Sequence, residues 1–354
     1  MRISVIEDEK EKRVAITPEI AKKYQELGFE VIIPQNTGVP AGFHDDNYLA
    51  AGATIWKKKS IPNADLYVGV KLSLTKELKL PVGSYLIALL SPLQNQKTLG
   101  QMRKSGINLC ALEKIPRISR AQSVDVLSSQ ANIAGYRAVL EALYEYRRVV
   151  PLLMTAAGTI RPAKVLVLGA GIAGLQAIAT AKRLGAVVSA YDVRAAAKEQ
   201  VESLGASFVE VKKQGDGETV DGYAKEMDDD YKKRQEEKLA QVIAQMDIVI
   251  TTAQIPGRPA PKLITKNMIK SMPAGAVIVD MATESGGNCE LSEKDKIIKV
   301  DNVTIIGYGD FAARVAQDSS RLFARNVFNF VSLMIKEGKI DISDEIIKAA
   351  LVGG

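Results

Sequence analysis

The chain has 354 residues, which is long enough for two domains with separate cores, and 47% of its residues are hydrophobic. Its formal net charge is +6, but basic and acidic residues are interleaved and aromatic residues are sparse, so the charge favours solubility over nucleic-acid binding. The longest apolar runs, such as residues 85–90, are far shorter than the roughly 20 residues of a membrane-spanning helix. The apolar stretch after Arg2 is too short for a signal-peptide core, so we expect a mature cytoplasmic chain.

Metal and thiol chemistry are disfavoured by the few residues that could support them. Cys110 and Cys289 are the only cysteines, and neither stands in a C-x-x-C pair. His44 is the only histidine, which argues against a zinc site. We therefore predict two buried structural cysteines, a histidine in a surface loop and no bound metal.

The first 115 residues alternate short apolar strands with helical patterns, an arrangement that predicts parallel β-α-β units. The predicted strands cover residues 3–6, 30–34, 65–70, 85–90 and 107–113, and the predicted helices cover residues 18–28 and 93–106. A longer helical pattern follows at about 124–148, and we expect it to connect the first domain to a second one. Its predicted apolar face has four residues: Ile133, Tyr136, Leu140 and Leu143.

A second α/β pattern begins at Lys164 and predicts a doubly wound nucleotide-binding sheet. Its six candidate strands cover residues 164–169, 187–192, 207–211, 247–253, 276–282 and 303–309. An amphipathic helix at residues 318–338 follows, and it would pack on the first domain or on another subunit. The predicted fold is therefore α/β, with two Rossmann-like domains whose doubly wound, mostly parallel sheets are joined by the long helix and the returning C-terminal helix.

The domain boundaries follow from these elements. Residues 1–125 form the predicted N-terminal α/β domain, which the C-terminal segment at about 315–354 completes, and residues 126–314 form the nucleotide-binding domain. One connection in the second domain, at about 214–238, is longer than compact domains normally contain. Such a segment is typical of a lid, a binding loop or a disordered region. The alternative is a solvated insertion without a role.

A glycine pattern at the start of the second domain predicts dinucleotide binding. Gly169, Gly171 and Gly174 follow the strand KVLVL and open a helix, and Asp192 ends the next strand. The three glycines would allow the tight turn, the approach of a pyrophosphate to the helix N-terminus, and close packing of helix on strand. A glycine-rich structural turn is the alternative, but it does not account for the acid. We also assign the neighbours of these residues to the site: Ala170, Ile172 and Val193.

Asp192 also indicates which dinucleotide binds. Its carboxylate can accept hydrogen bonds from both ribose hydroxyls and would repel a 2′-phosphate, which favours NAD over NADP. Arg194 weakens this preference because an arginine could accommodate the phosphate. Gln254 follows a later strand at its carboxyl end, where ligands bind in such folds, and it is a further candidate for the cofactor site.

Five segments of the chain match one family pattern. They are RVAITPE at 13–19, GVK at 69–71, SSQANIAGYRAV at 128–139, GAGIAGLQAIATAKRLGA at 169–186 and YDVR at 191–194. Together they resemble alanine dehydrogenase and the NAD(H)-binding component of proton-translocating NAD(P) transhydrogenase. The resemblance covers nearly the whole chain.

The alanine dehydrogenase branch is matched only partially. The resemblance implies that Arg13 and Lys71 would hold a substrate carboxylate in that branch. Its proton-handling histidine is replaced here by Ser91, and its aspartate by Glu284. A positioned acid or base typically contributes about 10² to 10⁴-fold to a rate. A soluble amino-acid dehydrogenase acting on pyruvate and ammonia is therefore the runner-up.

The transhydrogenase branch is matched more fully. Its loop near the nicotinamide contains arginine, glutamine, aspartate and serine, which correspond here to Arg117, Gln122, Asp125 and Ser128. The resemblance implies that Gln122 holds two nicotinamides together through its amide. It implies that Asp125 and Arg117 form a charged pair that orients the NAD nicotinamide and ribose, and that Ser128 binds the carboxamide. The alternative from spacing alone is that these residues only cap the helix beginning near Val124.

The same branch has a mobile loop around a GYAKEM core, which corresponds here to residues 222–227. This comparison gives the overlong connection a role as a lid over the bound nucleotide. The expected lid residues are Gly222, Tyr223 and Gln235.

The implied reaction explains why a site without histidine would suffice. Hydride transfer between two nicotinamides leaves no alkoxide or amine to protonate, and it needs two aligned rings with water excluded. The resemblance implies a homodimer that binds NAD(H) and docks on a membrane-spanning partner that binds NADP(H) and moves protons. It places the chain in the bacterial cytoplasm, on the cytoplasmic face of the inner membrane. A catalytically idle NAD-binding module is the third alternative.

Overall fold

The computed structural model describes residues 1–74, 78–211, 229–255 and 257–353. The chain divides into two compact units. The first is formed by Met1–Gln130 together with Ala312–Gly354, and the second by Ala131–Phe311. The first division falls within one long helix, Val126–Glu145.

The first unit is built on a six-stranded parallel sheet. Its strands are β1 (Arg2–Val5), β2 (Glu30–Pro34), β3 (Thr54–Trp56), β4 (Leu66–Lys71), β5 (Tyr85–Leu89) and β6 (Asn108–Ala111). The helices that follow in the chain are α1 (Pro18–Glu26), α2 (Asp45–Ala50), α3 (Gln96–Lys104) and α4 (Val126–Glu145). The strand order is β3-β2-β1-β4-β5-β6, and every neighbouring pair is parallel.

The second unit contains a hairpin and a seven-stranded sheet. The hairpin strands are β7 (Leu153–Thr155) and β8 (Gly158–Ile160). The sheet strands are β9 (Lys164–Leu168), β10 (Val187–Tyr191), β11 (Ser207–Phe208), β12 (Ile248–Thr251), β13 (Val277–Asp280), β14 (Ile297–Val300) and β15 (Val303–Ile306). The helices are α5 (Ile172–Arg183), α6 (Ala197–Ser203), α7 (Asp229–Ile243) and α8 (Lys266–Ser271). The order is β11-β10-β9-β12-β13-β15-β14, with only the β14–β15 pair antiparallel.

The C-terminal segment returns to the first unit. It consists of α9 (Ala316–Leu333), the short hairpin β16 (Ile335–Lys336) and β17 (Lys339–Ile340), and α10 (Glu345–Ala350). Within the described ranges, no helix combines the length and the apolar character needed to cross a membrane.

The parallel sheet of the first unit is buried on both faces, as such sheets usually are. Along β4 the side chains alternate between two cores: Leu66 and Val68 join one cluster, and Tyr67 joins the other. The amphipathic helix α9 covers the first face, where Phe323 and Phe330 are fully buried. Of the two packing partners expected for this helix, the structure shows the first domain.

The predicted α/β class with two Rossmann-like, mostly parallel sheets is confirmed. The pattern missed β3 and the antiparallel edge strand β14, as well as the hairpin β7–β8. The predicted strand at 207–211 is shortened to two residues. The expected long connection at 214–238 is wrong over its final residues, because α7 begins at Asp229 and places its charged residues on a helix.

The predicted apolar face of the long helix is also wrong. Tyr136 is 41% exposed, whereas Ala138, Val139 and Ala142 are buried. The reason is that small residues let α4 approach α5 closely. A Cβ atom at Gly135 would lie 2.0 Å from the carbonyl oxygen of Ala173. Hydrophobic periodicity gives weight to large side chains and so selected the wrong face.

Candidate nucleotide-binding site

The turn between β9 and α5 is so tight that it requires glycine. Gly169 has a φ of +101°, a conformation that residues with side chains rarely adopt. A Cβ atom at Gly174 would lie 1.8 Å from the carbonyl oxygen of Gly169, so only glycine lets the helix approach the strand end this closely. Thr252, just after β12, donates from Oγ1 to the same carbonyl at 2.9 Å.

The N-terminus of α5 lies next to open space. Gly171 is its N-cap residue, and no side chain of the described residues caps it. A Cβ atom at Gly171 would meet no heavy atom within 4 Å, and Ile172 at the first helical position is 40% exposed. A helix N-terminus has a partial positive charge and attracts phosphate. This end of α5 can therefore hold an anionic group close to the backbone.

Asp192 follows β10 and is held by four hydrogen bonds. Its Oδ2 accepts from the backbone N–H of Ala170 at 2.8 Å and from Nη2 of Arg194 at 3.0 Å. Its Oδ1 accepts from the backbone N–H and Nε of Arg194, at 2.8 and 3.0 Å. Only 7% of the Asp192 side chain and 21% of the Arg194 side chain are exposed. The structure thus joins the glycine turn, the acid and the arginine in one cluster.

A second loop of the same unit is held beside the turn. Asn288 pairs with both backbone groups of Ala253: its Oδ1 accepts from the N–H at 3.1 Å, and its Nδ2 donates to the carbonyl at 2.8 Å. The next residue, Gln254, is exposed and donates from Nε2 to the carbonyl of Met281 at 3.2 Å. Sequence reasoning selected Gln254 but missed Thr252 and Asn288. The only signals for them were a Thr-Thr pair at a strand end and an asparagine after two glycines.

Asp280 fixes the loop that contains Asn288. This fully buried carboxylate accepts from the backbone N–H groups of Ala282 and Cys289, both at 2.9 Å, and from Ser292 Oγ at 2.6 Å. Burial raises the pKa of the Cys289 thiol to about 11, so this cysteine is a protonated packing residue at neutral pH. Burial likewise raises the pKa of Cys110 to about 12.

The second group of candidates lies in the first unit, on a 3₁₀ turn at Ser119–Val124 that leads into α4. Gln122 is exposed on this turn, and Arg117 is exposed just before it. Asp125 accepts from the backbone N–H of Ser128 at 2.9 Å and from the Ser128 hydroxyl. The structure therefore brings Asp125 and Ser128 together as a helix cap, the contact that the alternative interpretation predicted. Ligand roles for these four residues stay predictions.

Arg13 is buried beside the start of α4. Its Nε and Nη2 donate to Glu11, and its Nη1 donates to Oε1 of Gln130, each at 2.8 Å. Gln130 in turn donates to the carbonyl of Ser319 at 3.1 Å. The guanidinium that could have met a substrate carboxylate is thus bonded to a carboxylate of the chain itself.

Ser91 follows β5 with a φ of +49°. Glu113 accepts hydrogen bonds from the backbone N–H groups of Ser91 and Leu90, the latter at 3.0 Å. Burial nevertheless raises the pKa of Glu113 above its ordinary value.

The remaining candidates are dispersed. Lys71 ends β4 and is half-buried, His44 is exposed just before α2, and Glu284 is exposed within 3.4 Å of Lys294. Val193 is half-buried against an apolar cluster, and Gln235 is half-buried on α7. The expected lid residues Gly222 and Tyr223 lie outside the described residues.

Two Rossmann-like units, one with a glycine turn and a buried acid at the next strand end, define a dinucleotide-binding α/β protein. Residues 5–134 match the family model described as alanine dehydrogenase/PNT, N-terminal domain, and residues 138–353 match alanine dehydrogenase/PNT, C-terminal domain. The chain belongs to the alanine dehydrogenase/PNT family.

Its similarity to individual members of this family is uneven. An NAD(P) transhydrogenase subunit alpha protein of Rhodospirillum rubrum is 49% identical over 344 residues, which cover 94% of this chain and 90% of that protein. The crystal structure of transhydrogenase from Sinorhizobium meliloti has 43% identity and a TM-score of 0.89, covering 99% of this chain and 98% of that one. The alanine dehydrogenase of Halomonas elongata is 27% identical over 96% of this chain and 88% of that protein.

Proposed function

We propose that this chain is the NAD(H)-binding component of an NAD(P) transhydrogenase, which passes hydride directly between NAD(H) and NADP(H) held by a partner domain. The observation that carries the proposal is the turn between β9 and α5, with Asp192 held at the end of β10. The 49% identity to a transhydrogenase subunit over 94% of the chain supports this reaction over others that use the same cofactor.

The residues of the turn fit NAD(H) in three respects. The space beside Gly171 lets a pyrophosphate approach the N-terminus of α5. Asp192 stands at the strand end where the adenosine ribose of a dinucleotide is recognised. Its negative charge opposes a 2′-phosphate, and Arg194 is already bonded to it, so NAD(H) is favoured over NADP(H) at this site.

The proposed hydride transfer does not require a general acid or base from this chain. Bound NAD(H) supplies the nicotinamide that gains or loses the hydride. An exposed amide such as Gln122 can donate to one carboxamide and accept from another, which orients two rings without moving a proton. The only histidine, His44, is exposed just before α2 and is not needed for such a step.

The proposal includes an assembly. The chain would form a homodimer and dock on a membrane-spanning partner that binds NADP(H) and moves protons, at the cytoplasmic face of the bacterial inner membrane. The exposed hairpin β7–β8 supports self-association, because Leu153, Met154 and Ile160 are 40%, 76% and 45% exposed. Exposed apolar patches of this kind commonly mark protein–protein contacts.

The decisive experiment is hydride transfer from NADH to an NADP⁺ analogue, with the purified NADP(H)-binding component of a transhydrogenase added. We expect transfer that depends on both proteins and falls by about 10²-fold or more in Gln122→Ala, because the two rings lose their shared contact. Gln101→Ala, an exposed glutamine on α3, is the matched control and should transfer hydride normally.

A parallel reaction with pyruvate, ammonia and NADH addresses the runner-up. The engagement of Arg13 by Glu11 and the lower identity to alanine dehydrogenase both argue against that activity. Pyruvate-dependent loss of NADH would overturn the proposal in favour of an amino-acid dehydrogenase. Binding of NADH without transfer to the partner component would instead support an idle nucleotide-binding module.

A further inference from the structure

Two asparagines of α9 form hydrogen bonds with the loop that contains Gln122. Asn326 and Asn329 each donate from Nδ2 to the carbonyl oxygen of Ser123, at 2.8 and 3.0 Å. Residues three positions apart lie on the same face of a helix, so both side chains can reach one acceptor. Ser123 is the residue directly after Gln122.

The shared carbonyl lies where the chain changes conformation. The 3₁₀ turn ends at Val124, α4 begins at Val126, and Asp125 between them has an extended ψ of 90°. Carbonyl groups at the end of a helical segment have no N–H donor within that segment. At this junction the two amides supply those bonds and hold the Ser123 peptide in one orientation.

Apolar packing, including residues of the same helix α9, also holds this turn. Ala121 and Val124 are both buried, and they belong to the apolar cluster that includes Phe323 and Val327 of α9. Gln122 therefore lies on a short stretch of backbone whose flanking residues are packed and whose next carbonyl is bonded. The side chain of Gln122 is exposed, while the backbone that carries it is held in place.

Asparagine is an unfavourable residue at these two helix positions. Asparagine is less favourable than alanine or leucine in helix interiors, and a buried amide is unfavourable unless it is fully bonded. Asn326 is only 9% exposed, and its Oδ1 has no hydrogen-bond partner among the described residues. An apolar residue at this position would stabilise the core better, so the bond to Ser123 is the feature that favours asparagine.

We propose that Asn326 and Asn329 are positioning residues for Gln122, holding the Ser123 peptide so that the amide of Gln122 stands at the meeting point of the two nicotinamides. This inference rests on the proposed function. It assigns to the C-terminal helix a role in hydride transfer that it exerts only through the Gln122 loop.

The first test measures transfer and binding separately. Asn329→Ala and Asn326→Ala should each lower the hydride-transfer rate at saturating nucleotide by about tenfold, because small errors in alignment are costly. The dissociation constant for NADH, measured by fluorescence, should stay close to the wild-type value, because the pyrophosphate and ribose contacts proposed at Gly171 and Asp192 belong to the other unit. The matched control is Asn108→Ala, which removes another amide bonded to a backbone carbonyl of the first unit and should leave transfer unchanged.

Isosteric variants separate positioning from folding. Asn329→Leu keeps nearly the same side-chain volume, adds no charge and loses the N–H donor at a half-buried helix position, so it should lose transfer like Asn329→Ala while remaining as stable as the wild type. If Asn326→Ala does not fold, the two variants at Asn329 still decide the question. Normal transfer in both of them would overturn the inference.

A double-mutant cycle with Gln122→Ala shows whether the effect passes through Gln122. We expect Asn329→Ala to slow the wild type but to cause no further loss in Gln122→Ala, because there is then no amide to position. Equal losses in both backgrounds would show an independent structural effect and refute the inference alone. If Gln122→Ala itself transfers hydride normally, the proposed function of the loop fails and the inference fails with it.

Discussion

Both carboxylate oxygens of Asp192 are bonded to other groups of the chain. Each of its oxygens accepts two hydrogen bonds, three of the four from Arg194. A carboxylate has about four lone-pair directions, so a ribose hydroxyl must replace one of these bonds. Replacing a bond from the guanidinium leaves the contact with Ala170, and hence the turn, intact. Nucleotide binding should therefore displace one of the two guanidinium bonds to Asp192, while the other and the backbone bond keep Arg194 beside it.

This arrangement predicts the effect of Asp192→Asn on nucleotide choice. The substitution removes the charge that opposes a 2′-phosphate and frees Arg194 to meet it. A hydrogen bond to a charged group contributes about 1.5–3 kcal/mol, so NADH binding should weaken by about 10- to 100-fold. NADPH binding should strengthen relative to NADH binding. Calorimetric titration of both nucleotides measures the ratio.

The control for this prediction is Glu199→Gln, which removes one negative charge from an exposed position on α6. It should leave the NADH-to-NADPH preference at the wild-type value. An unchanged preference in Asp192→Asn would mean that this carboxylate does not distinguish the ribose of NADH from the 2′-phosphorylated ribose of NADPH.

At the scale of elements, the sequence predicted those strands whose burial requires a continuous apolar pattern. Strand β13 is buried at all of its four residues, and three of them form the apolar run VIV, so it could be found. The edge strands β3 and β14 are half-exposed and lack such a run, and they were missed. The glycine turn and Asp192 follow a short-range spacing. Asn288 and Asn326 act on residues 35 and 203 positions away, which spacing alone cannot indicate.

A contact between two elements gives a pH-dependent prediction. Glu113, just after β6, binds the backbone at the end of β5, and burial raises the pKa of its carboxyl group. The folded state therefore holds the proton more tightly than the unfolded chain, whose glutamate pKa is about 4.3. The contribution of protonated Glu113 to the free energy of unfolding is fully present below that pH. It is lost as the pH rises through the pKa of Glu113 in the folded state. Glu113→Gln cannot ionise and should lack this loss.

Urea unfolding between about pH 4 and pH 8 tests the sign of this effect. The stability of the wild type relative to Glu113→Gln should fall as the pH rises. Glu26→Gln, at an exposed position on α1, should keep the wild-type pH dependence. Parallel curves for the wild type and Glu113→Gln would refute the assignment.

At the scale of the whole molecule, the ends of the chain build one core while the middle builds another. Residues of β1 and α9 share a buried cluster in the first unit, although more than half of the chain separates them in sequence. The second unit has its own cores around its sheet. Its hairpin β7–β8 belongs to neither cluster, since every residue from 151 to 160 is exposed. Its apolar side chains therefore gain stability only by contact with another surface.

The proposed homodimer gives the hairpin such a surface, and this predicts the behaviour of Leu153→Asp and Met154→Asp. In a two-fold symmetric interface each substitution acts twice. Burial of one such side chain contributes about 1.5–3 kcal/mol, so each variant should weaken dimerisation by about 10² to 10⁴-fold. Light scattering at micromolar concentration should find dimers for the wild type and monomers for the variants. Val82→Asp places the same charge on a residue of the first unit that is 82% exposed, and it should remain dimeric. Dimers in both hairpin variants would exclude the hairpin from the interface, and a monomeric wild type would refute the homodimer itself.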